Sequence, residues 1–492
     1  MGMLKFRQDI VHDVQVGARR VLFHVPTTGL FELDDLSGAV LDLFKDKGAV
    51  TPHDVQARFE GRHSAADIAQ TIRDFLDLGL VSDGLPATPQ PEPLTINAYP
   101  LSTIILNVNT GCNLSCSYCY KEDLATPKDG HKMELATARR SIDLLLHEAA
   151  LRDRVNVVFF GGEPLTNFGL IREIVDYTEK RCAKENKIAD FSLTTNATLL
   201  TPAIVDFFNA HRFGIAVSID GPKAIHDKNR KTVGGKGTYD VVSDKVRMLL
   251  ARYSARPVGA RVTLTRGVTD VLGIHKHLRE TFGFFEVGFA PATSADIAAF
   301  NLTADELSDV FQKMKELGRL YLEAALKNEN IGFGNLHQLM TDLHEGTRKS
   351  LPCGAGLGLL AVDTKGELNL CHRFTGSTLP TFGNVETGID KPRLGALIEA
   401  AGTRTGTGCT TCRIRNICSG GCYHESYARY GDPLHPTYHY CDHLRDWVDF
   451  GIEVYSEILK YNPAFFERHI TPRIVARDAT GRFAILSGQE AS

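Results

Sequence analysis

The chain has 492 residues, 43% of them hydrophobic and 23% charged, the composition of a globular protein of about three domains. Lys plus Arg number 55 and Asp plus Glu 59, a net charge of −4, which gives no electrostatic case for nucleic acid or an anionic membrane as partner. No run of about 20 apolar residues is present to span a bilayer, and the opening MGMLKFRQDIVHD puts charges where a signal peptide needs an apolar core. The expected location is the cytoplasm.

Residues 1–85 read as a small module. Alternating Val14, Val16, Val21, Phe23 and Val25 predict two or three short strands. Thr51, Pro52 and Asp54 form a helix start, and Ser64 with Asp67 repeats it. Ile68, Ile72, Phe75 and Leu76 then share one helix face, with Gly79 as the stop. Strands followed by helices fit a winged-helix-like unit, or a plain structural cap. Residues 86–100 hold five prolines and mark a linker. Across 101–300, strands are predicted at 103–109, 155–160, 191–195, 214–219, 259–265 and 285–289, with helical segments between, such as 134–150 and 170–184. This alternation predicts an α/β fold with a parallel sheet closing into a full or partial barrel, whose reactive groups sit at the C-terminal strand ends. A capping box at Thr303 and Glu306 opens a helix to about 327, and another covers 336–345, so 301–350 is a helical bridge. Residues 353–441 read as loop-rich, 442–459 as a final helix, and 460–492 as a tail.

Ten of the 11 cysteines fall in two dense groups, which in a reducing compartment points to metal rather than disulfides. Cys182 stands alone in a helical stretch as a small buried hydrophobe. Cys112, Cys116 and Cys119 directly follow the first predicted barrel strand. Three thiolates within eight residues can face one [4Fe–4S] cluster and leave its fourth iron open to chelate a small molecule. A zinc site wants four ligands, and no nearby His or Cys completes one.

The C-x3-C-x2-C spacing, with Tyr118 before the last cysteine, resembles the radical S-adenosylmethionine (SAM) enzymes. The resemblance implies that the open iron binds SAM and that reductive cleavage yields a radical that abstracts hydrogen. It assigns Gly161, Gly162, Glu163 and Pro164 to the SAM amino group, with Glu163 accepting from the ammonium. Asn196, Ser218 and Asp220 become polar strand ends facing SAM. Arg230 would bind the SAM carboxylate bidentately, with Arg261 a weaker candidate.

The second group, Cys353, Cys371, Cys409, Cys412, Cys418, Cys422 and Cys441, resembles the SPASM extension of these enzymes, which carries two auxiliary [4Fe–4S] clusters. Carried over, Cys353, Cys371 and Cys422 hold one and Cys409, Cys412, Cys418 and Cys441 the other, three clusters in all. Some relatives have an extra cysteine soon after the first; residues 354–360 (GAGLGLL) offer none. An open iron there would suit a substrate thiolate. The whole is most similar to the family that matures the small subunit of quinohemoprotein amine dehydrogenase. The implied fold is a partial (β/α)6 radical SAM barrel, with an N-terminal winged-helix-like peptide-binding domain and a loop-rich SPASM domain at 351–459. The implied activity is thioether formation from Cys sulfur to Asp or Glu methylene carbon in a small, Cys-containing, ribosomally made polypeptide. An external one-electron donor is the second partner. His372 and Asp220 are candidate catalytic bases. The alternatives are formylglycine formation, carbon–carbon crosslinking, or a non-catalytic metal-bearing scaffold.

Overall fold

A computed structural model describes residues 2–84, 101–119, 130–293, 299–404 and 406–470, with two further short strands, Val475–Arg477 and Phe483–Ile485. The linker expected at 86–100 lies outside these residues.

The N-terminal module folds as strands and then helices. Val11–Val16, Arg19–His24 and Gly29–Leu33 form an antiparallel meander. Helices Asp35–Lys47, Pro52–Phe59 and Ala65–Asp77 follow. Thr51 and Asp54 make the expected reciprocal capping box, and Ser64 caps its helix through Asp67 N. The first helix was not foreseen, although Asp34 caps its start and Gly48 ends it at φ 69. The meander has two apolar faces. Leu22 joins the module's own core with Phe44, Val55 and Ile72. Val14, Val16, Val21 and Phe23 instead join the main core of the chain, packing on helix Cys441–Tyr461.

All six barrel strands form near their expected positions: Thr103–Asn107, Arg154–Phe160, Ile188–Thr195, Gly214–Ser218, Val258–Leu264 and Glu286–Pro291. They run parallel in chain order. Alternate residues such as Val155, Val157 and Phe159 are wholly buried against the helices, while Ser218, Arg261 and Gly288 stand side by side on the other face. The sheet does not close on itself. Leu359–Val362 pairs parallel to the first strand and Leu368–Asn369 pairs antiparallel beyond it, so a region read as loop extends the sheet. The free edge of the sixth strand is covered by helix Gly334–His344, whose Asn335 bonds both Phe289 N (2.8 Å) and Phe289 O (2.9 Å).

Candidate functional site

The first barrel strand leads through Asn109 and Gly111 into the loop of Cys112, Cys116 and Cys119. This loop lies along the segment after helix Lys223–Asn229. Ser117 N donates to Asn229 O (3.0 Å) and Ser115 N to Lys231 O (2.8 Å). The three sulfurs lie within electrostatic reach of one another. Burial first, then repulsion from Glu163, Cys116 and Cys119, pushes Cys112 up to about 12; burial likewise takes Cys116 up to about 11. Such thiols become thiolates at neutral pH only with a bound cation.

At the end of the second strand, the glycine pair meets this loop backbone to backbone. Gly162 N donates to Asn109 O and Glu163 N to Gly111 O, both at 3.2 Å. A Cβ on Gly161 would stand 2.2 Å from Asn109 Oδ1, and one on Gly162 would stand 2.1 Å from Gly111 O, so neither position admits a side chain. Asn109 Nδ2 donates to Gly111 O (2.7 Å), to Glu163 O (3.0 Å) and to Thr166 Oγ1. Its Oδ1 is buried with no partner. Pro164 starts the following 3-10 turn. The Glu163 carboxylate, 1% exposed, takes Asn196 N (2.7 Å), Thr195 Oγ1 (2.7 Å) and Leu165 N (3.2 Å). Burial pushes its pKa up to about 7 against the opposing pull of those donors. It therefore braces the second strand end to the third. Asn196 turns its Nδ2 to Asn113 Oδ1 (3.0 Å), with Cys112 Sγ at 3.9 Å.

Beyond the fourth strand, Ser218 is half-buried and Asp220 is 1% exposed. Asp220 Oδ2 accepts from Tyr118 OH (2.7 Å) and Arg230 Nε (2.8 Å), and Oδ1 from Thr263 N (3.1 Å). These three donors tie the carboxylate to the cysteine loop, to Arg230 and to the fifth strand. Arg230 is also fixed from behind. Thr238 Oγ1 donates to Arg230 O (2.9 Å), and His226 Nε2 lies 3.0 Å from that hydroxyl. Burial takes His226 down to about 4, so it is neutral, with Nε2–H facing Thr238 and Nδ1 facing Asp220 N at 3.4 Å. Arg261 is exposed on the same sheet face as Ser218. No ion pair engages it among the described residues.

His372 follows Cys371 and rests against Phe160, the last residue of the second strand, with ring centroids 4.1 Å apart. That puts it beside the glycine pair, between the two cysteine groups. In the second group, Cys371 is pushed up to about 12 by burial and then by Cys422 and Cys353. Cys441 is pushed up to about 11 by burial, then by Cys418, Cys409 and Cys412. The sulfurs thus sort as three and four. Cys409, Cys412, Cys418 and Cys441 line one cavity together with Ile414 and Leu444. Cys353 and Cys422, with Cys418, line a neighbouring cavity of about 380 Å³. Among the described residues no three such side chains close on a single ion; the thiols share cavity walls instead. Buried Glu425 was missed by sequence reasoning. It accepts from Thr293 Oγ1, from His439 Nε2 (3.1 Å) and from Tyr440 OH (3.3 Å), joining the sixth strand's end to the cysteine-rich region.

Residues 106–272 match the family model described as Radical SAM superfamily. The radical SAM cyclopropyl synthase TigE of Paramaledivibacter caminithermalis is 22% identical over 90% of this chain and 94% of its own length. The cysteine-type anaerobic sulfatase-maturating enzyme of Clostridium perfringens is 23% identical over 72% of this chain and 96% of its own. An uncharacterized protein of Methanocaldococcus jannaschii is 36% identical, but this chain spans only 52% of its length. The solved structure of native anSMEcpe with bound AdoMet and Cp18Cys peptide superposes with TM-score 0.58 at 20% identity, covering 75% of this chain and 98% of that one.

The chain carries a radical SAM domain and is a radical SAM superfamily enzyme related to peptide and protein maturases. The superfamily uses SAM and a [4Fe–4S] cluster, and the strand ends fit both. They offer three thiols on one loop, a glycine pair that lets the second strand end pack directly on that loop, and an orphaned buried oxygen on Asn109.

Proposed function

We propose that this enzyme forms thioether crosslinks within a small, Cys-containing, ribosomally made polypeptide, joining Cys sulfur to an Asp or Glu methylene carbon. The quinohemoprotein amine dehydrogenase small subunit is the type of substrate. Cys112, Cys116 and Cys119 would hold the SAM-binding cluster; when bound, it and SAM supply the radical that takes hydrogen from the substrate methylene. Gly161, Gly162 and Arg230 would seat SAM, with Ser218 and Asn196 at its edge. Cys409, Cys412, Cys418 and Cys441 would hold a four-ligand auxiliary cluster, the path to an external one-electron donor.

One observation carries the thioether reading: the cysteine count closes with one ligand missing. Of 11 cysteines, three stand at the SAM loop, four around one cavity, and Cys182 is buried at 2% exposure in helix Phe168–Lys184. Cys353, Cys371 and Cys422 remain as a set of three. A substrate thiolate completes that set and is then held close to the barrel mouth. His372, between this set and the glycine pair, is placed to take the thiol proton. Arg261, exposed and without an ion pair among the described residues, offers a cation to the substrate's acidic side chain. The N-terminal module, with the edge of Gly29–Leu33 unpaired among the described residues, would grip a leader segment by strand addition. No helix of the described residues is long and apolar enough to cross a membrane.

The test is mass spectrometry of the Cys-containing peptide encoded beside this gene, co-expressed anaerobically and alkylated. Loss of two hydrogens per modified cysteine, with that sulfur resistant to alkylation, supports the reading. The likeness to a cyclopropyl synthase along 90% of the chain favours carbon–carbon bond formation as the second reading. In that case hydrogen is lost and every sulfur still alkylates.

A further inference from the structure

The best-defined polar cluster at the barrel mouth has a member whose hydroxyl no SAM contact explains. Tyr118 precedes Cys119, is 8% exposed, and spends its OH on Asp220 rather than on any space at the strand ends. The same Asp220 oxygen takes Arg230 Nε, and the Arg230 guanidinium lies over the Tyr118 ring at 5.4 Å. The main chain on either side of Arg230 is bonded to the cysteine loop, at Asn229 through Ser117 and at Lys231 through Ser115. With Nε committed to Asp220, only the Nη edge of Arg230 remains to meet an incoming carboxylate.

We propose that Tyr118 is a positioning residue, a latch by which the cluster-bearing loop presents Arg230 to the carboxylate of SAM. The inference rests on the reading that this site binds SAM through Arg230. Its consequence is a coupling. When the loop of Cys112–Cys119 is folded, the Tyr118 hydroxyl and Asp220 hold the guanidinium in one orientation. When it is not, Arg230 loses its ring support, one partner of its carboxylate anchor and both flanking backbone bonds. SAM recognition therefore follows cluster loading, and by reciprocity bound SAM protects the loaded loop.

The experiment compares wild type with Tyr118→Phe, both cluster-loaded, by equilibrium binding of SAM and of decarboxylated SAM. Tyr118→Phe keeps the ring and removes only the donated hydrogen bond. The expected result is SAM bound about three- to tenfold more weakly by the variant, the worth of one net hydrogen bond, with iron content unchanged. Decarboxylated SAM should bind both proteins alike, because the group that Arg230 would grip is gone. The EPR change that SAM induces in the reduced cluster should be altered in the variant with SAM alone. Equal SAM affinity in both proteins overturns the latch, as does an equal loss for both ligands. Failure of wild type to bind SAM at all strikes instead at the reading beneath it. Asp220→Asn is the second variant. It should reproduce the SAM-selective loss, and an unselective loss there counts against the proposal.

Discussion

Gly162→Ala tests the junction on which the SAM site is built. The added Cβ would lie 2.1 Å from Gly111 O and 2.4 Å from Gly111 C, where ordinary contact begins at 3.4 Å. Both partners are backbone, so no flexible side chain can yield. The glycine pair and the cysteine loop must part by more than an ångström. Overpacking of this kind costs about 1–3 kcal/mol. The bonds from Gly162 N to Asn109 O and from Glu163 N to Gly111 O, each 3.2 Å long, are lost with it, at about 0.5–1.5 kcal/mol apiece. The total is roughly 2–6 kcal/mol, which for a barrel-sized domain lowers Tm by roughly 5–20 °C. Gly169→Ala is the control. Nothing lies within 4 Å of that site, near the start of helix Phe168–Lys184, and the change is worth a gain of about 0.5–1 kcal/mol. The assay is thermal unfolding of the metal-free proteins, followed by iron content and SAM cleavage after anaerobic reconstitution. Gly162→Ala should unfold early and cleave little SAM, while Gly169→Ala matches or exceeds wild type. A Gly162→Ala protein with a Tm within 2 °C of wild type and full SAM cleavage would refute the packing argument.

Glu163→Gln should show a pH-dependent deficit. Burial raises the native carboxyl from 4.5 to about 7, so the native state binds the proton more tightly and wild-type stability declines as pH climbs through that window. The variant has no such decline, but one of its amide hydrogens faces a donor, costing about 1–3 kcal/mol; its Tm deficit should be larger at pH 5.5 than at 7.5, and an equal deficit at both contradicts the assignment. Cys409→Ala should lose about four irons per chain while SAM still binds, measured by iron analysis and SAM titration; unchanged iron would remove Cys409 from the ligand set. Arg261→Gln should weaken binding of the acidic, Cys-containing peptide several-fold in fluorescence anisotropy and leave SAM affinity unchanged; a selective loss of SAM affinity would make Arg261 a SAM residue instead.

Much of this was legible because the relevant signals are local. Period-2 runs set the six barrel strands, and each motif falls where its strand ends. Cysteine spacing likewise set the SAM loop apart from the seven later cysteines; the division of those seven came from the resemblance to SPASM domains. What the sequence hid was set by tertiary pairing. Residues 359–362 sit in a Gly-rich run that looks like loop, yet become a strand because the open edge of Thr103–Asn107 supplies hydrogen bonds. Glu163 and Asp220 have the residue types expected of ligand-facing acids, but which way a carboxylate turns depends on donors far along the chain, Asn196 N in one case and Thr263 N in the other. Glu425 gave no signal at all, because its partners come from the sixth strand's end and from residues 439–440.

The helix Cys441–Tyr461 ties these parts into one device. It begins at the last cysteine of the four-membered set and buries Trp447, Val448, Ile452, Val454 and Ile458. The N-terminal sheet packs on it through Val14 and Val16, and polar contacts pin it: His12 Nε2 meets Asp449 Oδ1 at 2.8 Å, and Arg19 pairs with Glu457. Asp449 also takes Arg413 at 2.8 Å, the residue after Cys412. One carboxylate thus joins the N-terminal sheet to the loop that carries two cysteines of that set. A module held only by a flexible linker would present a bound peptide at random angles. Here its strand edge is fixed relative to the cysteine loops by an apolar face, a His12–Asp449 hydrogen bond and an Arg19–Glu457 ion pair. Any peptide that extends the edge of Gly29–Leu33 therefore leaves the module at a set distance from Cys353, Cys371 and Cys422. That geometry limits which residues downstream of the gripped segment can reach these three thiols.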